Sequence, residues 1–497
     1  MKNIDLLFQE HAGKVSEDYL ADMGLEHINN ILEPEPCASF LSVISAPIKN
    51  REKILERQNI LKDFLEYPGL AHNIRKICVE IQQNKCVSTH QDKRDRLKDF
   101  RIVLERSMHA SSELLKHLKH REFSSQTLKD LRGQLEDCDA QAANIRERMS
   151  ELINASVNNH FTLDIKYGSG FKFSSANIYS NQANQANETQ SNSNAGKINI
   201  LKLLKKANIN IKKDPDGFYY GAPPGAPYSV IGEQIKDIIN KTPGYVGMII
   251  YDLNRHILNF CASLAKQLNF YIACTEIIKY LEGKNISMVF PEFCGEITAE
   301  NLLDFGLILN GSENIVANDF ADLGGAYYFI SGENQGGKTT FLKSLGIAQL
   351  FAQSGMIVPA AKYICPVFNN FVSHFPKDED EDLNFGKLAE ELTRIRQSAQ
   401  LIADNSLALF NESFATTTES EGFEIARDIL RAFSRTSAKI LLVTHNLPLL
   451  KKREELNLPN NIKIRSLIVD GRTYKIIEGE PRENLDTIDF LERLKRA

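Results

Sequence analysis

The sequence predicts a chain of two parts, an α-helical N-terminal region followed by an α/β domain on a largely parallel sheet. Three observations carry this. Apolar residues recur at steps of three and four from Leu128 to Leu152. After Pro291, short apolar runs alternate with helical stretches. One of those runs leads into the segment SGENQGGKTTFLKSLG at 331–346. The 497 residues, 42% of them hydrophobic, suffice for two or three domains with a sizeable core.

The helical part comes first. The seam Leu128, Leu131, Leu135, Cys138, Ala142, Ile145, Met149 and Leu152 is that of a long helix packed on a partner. Ser124 or Ser125 can cap its start. A similar seam, Phe100, Leu104, Met108, Ser111 and Leu115, precedes it, so the two are expected to form a helical hairpin packed within the chain rather than a dimeric coiled coil. The Asn/Gln/Ser tract at 174–196 is too polar to order itself and is expected to be a disordered insert. The lysine-rich stretch LKLLKKANINIKKDPDGF reads as a solvated basic loop. A second helical block is expected from about Val246 to Leu281. Residues 1–290 are therefore assigned to a helical domain and 291–497 to the α/β domain.

In the second part AYYFIS, SLALFNES and KILLVTHN read as buried strands, with helices at FLKSLGIAQLFAQS and EIARDILRAF between them. IRSLIVDGRTYKIIEGEP reads as a hairpin about Asp470-Gly471, and a short helix is expected near Leu485 to Leu494. The acidic run KDEDED at 377–382 reads as a solvated loop rather than a metal site.

The stretch between AYYFIS and its helix fits G-x-x-x-x-G-K-[ST], the pattern of a phosphate-binding P-loop. Glycines let successive backbone N–H groups converge on an anion, and the helix N-terminus adds partial positive charge. Gly332, Glu333, Asn334, Gln335, Gly336, Gly337, Lys338, Thr339 and Thr340 are the expected nucleotide-binding residues. Lys338 reaches phosphates, and the Thr339 hydroxyl is placed to ligate Mg²⁺. The strand SLALFNES ends in Asn411-Glu412. Glu412 is the expected water-activating carboxylate, and Asn411 would hold Mg²⁺ through water. KILLVTHN ends in Thr444-His445, where His445 can contact the γ-phosphate. ATP and Mg²⁺ are the implied ligands, and the three strand ends should converge on one face.

Over about 325–450 these residues resemble the MutS family of DNA mismatch-repair ATPases. GENQGGKTTFLKSLGIAQLFAQSGMIVPA is similar to the family's phosphate loop and helix, NESFATTTESEG to its acidic strand end and the turn after it, and LVTHN to its Thr-His strand. The resemblance is looser upstream, at ISMVFPEF and the helical hairpin. It implies helical core and lever elements, an ATPase domain of ABC/MutS type that pairs as a homodimer, and a clamp around DNA that recognises mismatches or other structures. Three departures stand out. No room is expected for a mismatch-reading domain, and GFYYG at 217–221 is a decoy for its aromatic wedge. Asn411 stands where the family has aspartate. Gly386-Lys387-Leu388 occupies the place of the segment whose serine reaches the partner's nucleotide. A nucleotide-gated module that grips protein instead of DNA is the alternative, and a transporter-type ATPase is disfavoured by the want of a Ser-Gly-rich signature helix.

Composition sets outer bounds. The net charge of −5 argues against an all-over basic surface but allows a local groove. Eight scattered cysteines without a Cys-x-x-Cys pair suggest neither zinc nor a disulfide framework and fit a reducing, cytoplasmic setting. The N-terminus is too polar for a signal peptide, and no apolar run is long enough to span a membrane.

Overall fold

The computed structural model describes residues 4–83 (except 17), 105–140 (except 106, 107 and 110), 161–167, 173–180, 198–199, 228–376 (except 323, 325 and 326), 387–413, 418–470 and 473–480. Two compact units emerge. One comprises Met1–Ile4, His72–Glu122 and Leu128–Ala265, the other Asp5–Ala71, Phe123–Thr127 and Lys266–Ala497. In this division residues 5–71 are grouped with the α/β part, alongside the expected sequence division at 290/291.

In the first unit, helical stretches at 111–118 and 126–140 bear out the predicted hairpin over its described part. Leu115, Leu128, Leu131 and Leu135 of the two seams are buried, while Ala142, Ile145, Met149 and Leu152 lie outside the described residues, as do Phe100 and Leu104. The second helical block is one helix, Tyr228–Gly283, which begins earlier than Val246. Val230, Ile231, Ile235, Ile238 and Ile239 continue the helical spacing backward from it.

The helical region also holds a sheet. Counting from the chain's first strand, β1 (Lys14–Val15), these are β2 (Phe161–Tyr167), β3 (Phe173–Ser180) and β4 (Ile198–Asn199). β2 and β3 pair antiparallel from Phe161↔Ser180, and β3 pairs with β4. The expectation of disorder from 174 is thus corrected for 174–180, while 181–196 lie outside the described residues. FTLDIKY alternates apolar and polar residues, the period of a strand, and gives the polar tract an edge to pair with.

The second unit contains two sheets. β5 (Glu292–Phe293), β6 (Thr298–Leu302), β7 (Asn318–Ala321) and β9 (Lys362–Cys365) make a four-stranded one in the order β5-β9-β6-β7. The larger uses β8 (Tyr327–Gly332), β10 (Asn370–His374), β11 (Ser406–Asn411), β12 (Lys439–Val443), β13 (Ile464–Asp470) and β14 (Lys475–Glu478). Its order is β1-β10-β11-β12-β8-β13-β14. All neighbours run parallel except the β13–β14 hairpin, where Asp470 pairs with Lys475, as the Asp470-Gly471 turn predicts. β11 and β12 are buried at every position, the pattern of strands covered on both faces. One face packs Phe329, Phe410 and Leu442 against Phe423, Ala426 and Leu430 of helix Glu419–Phe433. That helix starts at Thr418, whose hydroxyl accepts the Glu421 N–H at 3.3 Å.

The cap expected at Ser124 or Ser125 works differently. Asp63 accepts the N–H groups of both serines and the Ser125 hydroxyl, and Glu56 accepts the Thr127 N–H at 2.7 Å. Carboxylates of helix Arg51–Glu66 therefore satisfy the first donors of the helix that follows. The decoy GFYYG, the acidic run at 377–382 and the expected helix at 485–494 lie outside the described residues.

Candidate nucleotide site

Three neighbouring parallel strands end level with one another. Asn411 of β11 pairs with Val443 of β12, and Val443 pairs with Ile330 of β8. The residues after those ends, Gly332 to Thr340, Glu412 and Thr444-His445, therefore emerge on one edge, as expected.

The loop after β8 is shaped by backbone that side chains would spoil. Gly332 has φ 137°, and a Cβ there would lie 3.1 Å from the backbone N and O of Val469 on β13. Gly337 has φ 95°, and Gln335, at φ 57°, takes the left-handed region without being glycine. A Cβ on Gly336 would sit 3.0 Å from the Glu333 carbonyl and 3.1 Å from Val469 Cγ1. The helix that follows, Lys338–Gln353, starts at Gly337 with no side-chain cap. The helix N-terminus thus adjoins the loop, the arrangement that receives an anion.

Lys338 is 4% exposed, and its ammonium donates to the carbonyls of Gly332 at 3.1 Å and Glu333 at 2.8 Å. The Thr339 hydroxyl donates to Asn411 Oδ1 at 2.9 Å, which brings together the two side chains expected at a metal. Glu412 stands just past β11 with φ 46°, its N–H bonded to the Val443 carbonyl at 2.9 Å. Glu412 Oε1 lies 3.5 Å from His445 Nε2. The bond to His445 holds the Glu412 carboxyl below its ordinary range, with the charge of Lys338 assisting, so it is ionised at neutral pH.

These groups surround a cavity of about 330 Å³. Of the expected residues, Gln335 to Thr340 and Glu412 line it. Gly332, Asn411 and His445 stand behind that wall and touch its members, while Glu333 contributes its carbonyl and Asn334 only the turn of the loop. The cavity also has a wall that motif reasoning missed: Leu307, Asn314, Val316, Asn318 and Tyr474. Asn318 fixes it by accepting the Ile476 N–H at 2.8 Å and donating to the Tyr474 carbonyl at 3.3 Å. This side, apolar with amide groups, suits a planar base beside the phosphates. The exposed Tyr474 at a hairpin turn was its one available signal.

Among the described residues no cluster of three or more His, Cys, Asp or Glu could hold a metal; the Thr339–Asn411 pair offers two oxygens side by side. Both oxygens are hard neutral ligands, and they fit a magnesium ion bridging to phosphate.

Comparison with known proteins agrees with this geometry. Residues 328–485 match MutS domain V, and residues 49–284 match the MutS2 N-terminal domain. The chain belongs to the MutS family. Within it, similar relatives include Endonuclease MutS2 of Bacillus velezensis, 33% identical over 177 residues, which are 34% of this chain and 22% of that one. Endonuclease MutS2 of Listeria innocua is 26% identical over 334 residues, 60% of this chain and 41% of that protein. Endonuclease MutS2 of Thermus thermophilus is 32% identical over 168 residues, 33% and 23% of the two chains. The chain thus spans less than half the length of each of these MutS2 relatives. The MutS domain V match contains the whole of the segment 332–340 together with Asn411, Glu412 and His445. No helix among the described residues is long and apolar enough to cross a membrane.

Proposed function

We propose that this chain binds ATP at the phosphate loop, hydrolyses it, and acts as a pair of copies that closes on DNA. The observation that carries this is the convergence of Lys338, Thr339 and Glu412 on one cavity at the level ends of β8, β11 and β12. The loop amides and Lys338 take the phosphates, and the cavity wall of Leu307, Val316 and Tyr474 takes the base. Magnesium at Thr339 and, through water, at Asn411 would neutralise charge on the β- and γ-phosphate oxygens. Glu412, ionised and aimed by His445, orients a water in line with the γ-phosphorus and accepts its proton. His445 then stands ready to steady the γ-phosphate.

For DNA, the support is the family and the name endonuclease carried by the relatives. Branched or junction DNA is proposed over single mispairs, since the matched parts are the MutS2 N-terminal domain and domain V. Affinity should fall with salt as phosphate contacts release counterions.

A second proposal is favoured by one observation. Asn411 meets Thr339 as a neutral partner where the family's aspartate would bring charge. Weaker metal retention and slow turnover suit a nucleotide-gated module that grips a protein partner.

The deciding experiment measures ATP turnover of wild type and Glu412→Ala with homoduplex, mismatched and branched DNA. The proposal expects DNA-stimulated turnover in wild type, and in Glu412→Ala retained ATP binding with turnover reduced on the order of 100-fold. Unchanged turnover in Glu412→Ala would remove Glu412 from its role. Absence of DNA binding at moderate salt would favour the protein-gripping module.

A further inference from the structure

Glu412 does its proposed work from a backbone conformation that a non-glycine residue leaves when it can. Its φ of 46° is left-handed and costs on the order of 1 kcal/mol. Such a conformation persists only where its surroundings hold it on both sides. On one side the holding bond is known, the Glu412 N–H to the Val443 carbonyl of β12. On the other side stands Ser413, 4% exposed, whose Oγ lies 2.7 Å from His374 Nδ1 and 3.5 Å from the His374 carbonyl.

His374 is the last residue of β10 and is itself buried, with its ring against Phe410 of β11. The strand that carries it is anchored one residue earlier. The Ser373 N–H donates to Ser16 Oγ at 3.1 Å, and the Ser373 hydroxyl donates to Asp22 at 2.6 Å. The Ser413 hydroxyl is therefore tied to a fixed strand end. Glu412 sits between two pins, one on each neighbouring strand of the sheet.

We propose that the His374–Ser413 hydrogen bond is a positioning link that keeps Glu412 in its left-handed conformation and so aims its carboxylate at the nucleotide cavity. It rests on the ATP-hydrolysing role proposed for Glu412. Neither residue lines the cavity, so the link acts on turnover and not on nucleotide affinity. Without it, residue 412 is free to relax to negative φ, which swings its side chain away from His445.

The test has a structural arm and a kinetic arm. Crystal structures of wild type and Ser413→Ala, both without nucleotide, report φ at 412 and the Glu412–His445 distance. The link predicts that Glu412 leaves the left-handed region in Ser413→Ala. An unchanged Glu412 in that variant overturns it, whatever the turnover rate. In steady-state assays Ser413→Ala and His374→Phe should lower kcat about 10-fold, that is by about 1.4 kcal/mol of barrier, with the KM for ATP within about two-fold of wild type. Ser413→Thr, which keeps the hydroxyl, and His374→Asn, which keeps a hydrogen-bonding atom at the δ position, should recover most of the rate. Ser413→Ala placed on Glu412→Ala should add no further loss. Equal loss in Ser413→Thr and Ser413→Ala, or a rise in KM that accounts for the whole effect, overturns the link. A wild type whose turnover does not depend on Glu412 instead refutes the role on which it rests, and the crystallographic arm still decides the link.

Discussion

Replacing Asp304 by asparagine should remove a loss of stability that this protein otherwise suffers as pH rises from about 4 to 7. Asp304 caps helix Phe305–Leu309, the element that brings Leu307 to the cavity, by accepting the Leu307 N–H at 2.7 Å. It is 5% exposed, and among the described residues its second oxygen, Oδ2, finds no hydrogen-bond partner. Burial raises its pKa from 3.8 to about 6, against the opposing pull of the Leu307 N–H and Lys343. An acid raised in this way binds its proton more tightly folded than unfolded. Its contribution is complete below pH about 4 and is lost as pH rises through about 6. Two pKa units correspond to about 3 kcal/mol, an upper bound because the site can relax or admit water. Asparagine keeps an oxygen for the cap and is neutral at every pH. Urea unfolding at pH 4.5, 5.5 and 7 should show wild type losing about 1–3 kcal/mol relative to Asp304→Asn across that range. Parallel stability curves for the two proteins would show that Asp304 does not titrate as its burial dictates, and the reasoning would fail.

Three further substitutions probe the site and its support. Lys338→Ala should weaken binding of a fluorescent ATP analogue by at least about 100-fold, since a buried charge-assisted contact is lost; titration at micromolar protein checks it. Tyr474→Ala should weaken the same analogue about 5- to 10-fold while leaving the affinity for inorganic pyrophosphate unchanged, because the ring belongs to the base side of the cavity. Gly355→Ala should cost about 2–4 kcal/mol in thermal unfolding: φ is 75°, and the new Cβ would lie 2.8 Å from Arg57 Cβ, a fully buried side chain whose guanidinium donates to the Ser354 carbonyl.

The phosphate loop and the ends of β11 and β12 were legible because each is written in one short stretch. Glycines at fixed spacing, a lysine and an acid after an apolar run need no distant partner to be recognised. What escaped was made by pairing across the chain. β1 is only Lys14–Val15, with no strand-like run around it, and it exists because it lies parallel to Asn370-Phe371 of β10. The grouping of residues 5–71 with the α/β unit was hidden for the same reason, since it rests on contacts that carry no local signature. β3 was hidden by composition: SSANIYS opens a tract dominated by Asn, Gln and Ser, and its order depends on β2 beside it. Leu307, Val316 and Tyr474 come from three separate segments and meet only because Asn318 ties a loop to a hairpin. Ser413 was in plain view after Glu412, but its partner His374 lies on the neighbouring strand.

Charge at the cavity explains how these parts divide the work. Lys338 and Glu412 are the two charged side chains among the residues that line it, and they offset each other. Two N–H donors of Lys338 already go to the carbonyls of the loop it serves, so the buried ammonium is solvated by backbone before any phosphate arrives. Asn411 adds no charge of its own. In the proposed function, attraction for a triphosphate would then come from backbone amides, from the N-terminus of helix Lys338–Gln353, and from whatever cation the nucleotide brings. An aspartate at 411 would hold such a cation more strongly but would repel the phosphates in its absence. Under the proposed function, asparagine there would make nucleotide capture depend less on a resident ion, and control would pass to the placement of Glu412, the one acid among the residues that line the cavity and the one whose backbone is proposed to be held in place.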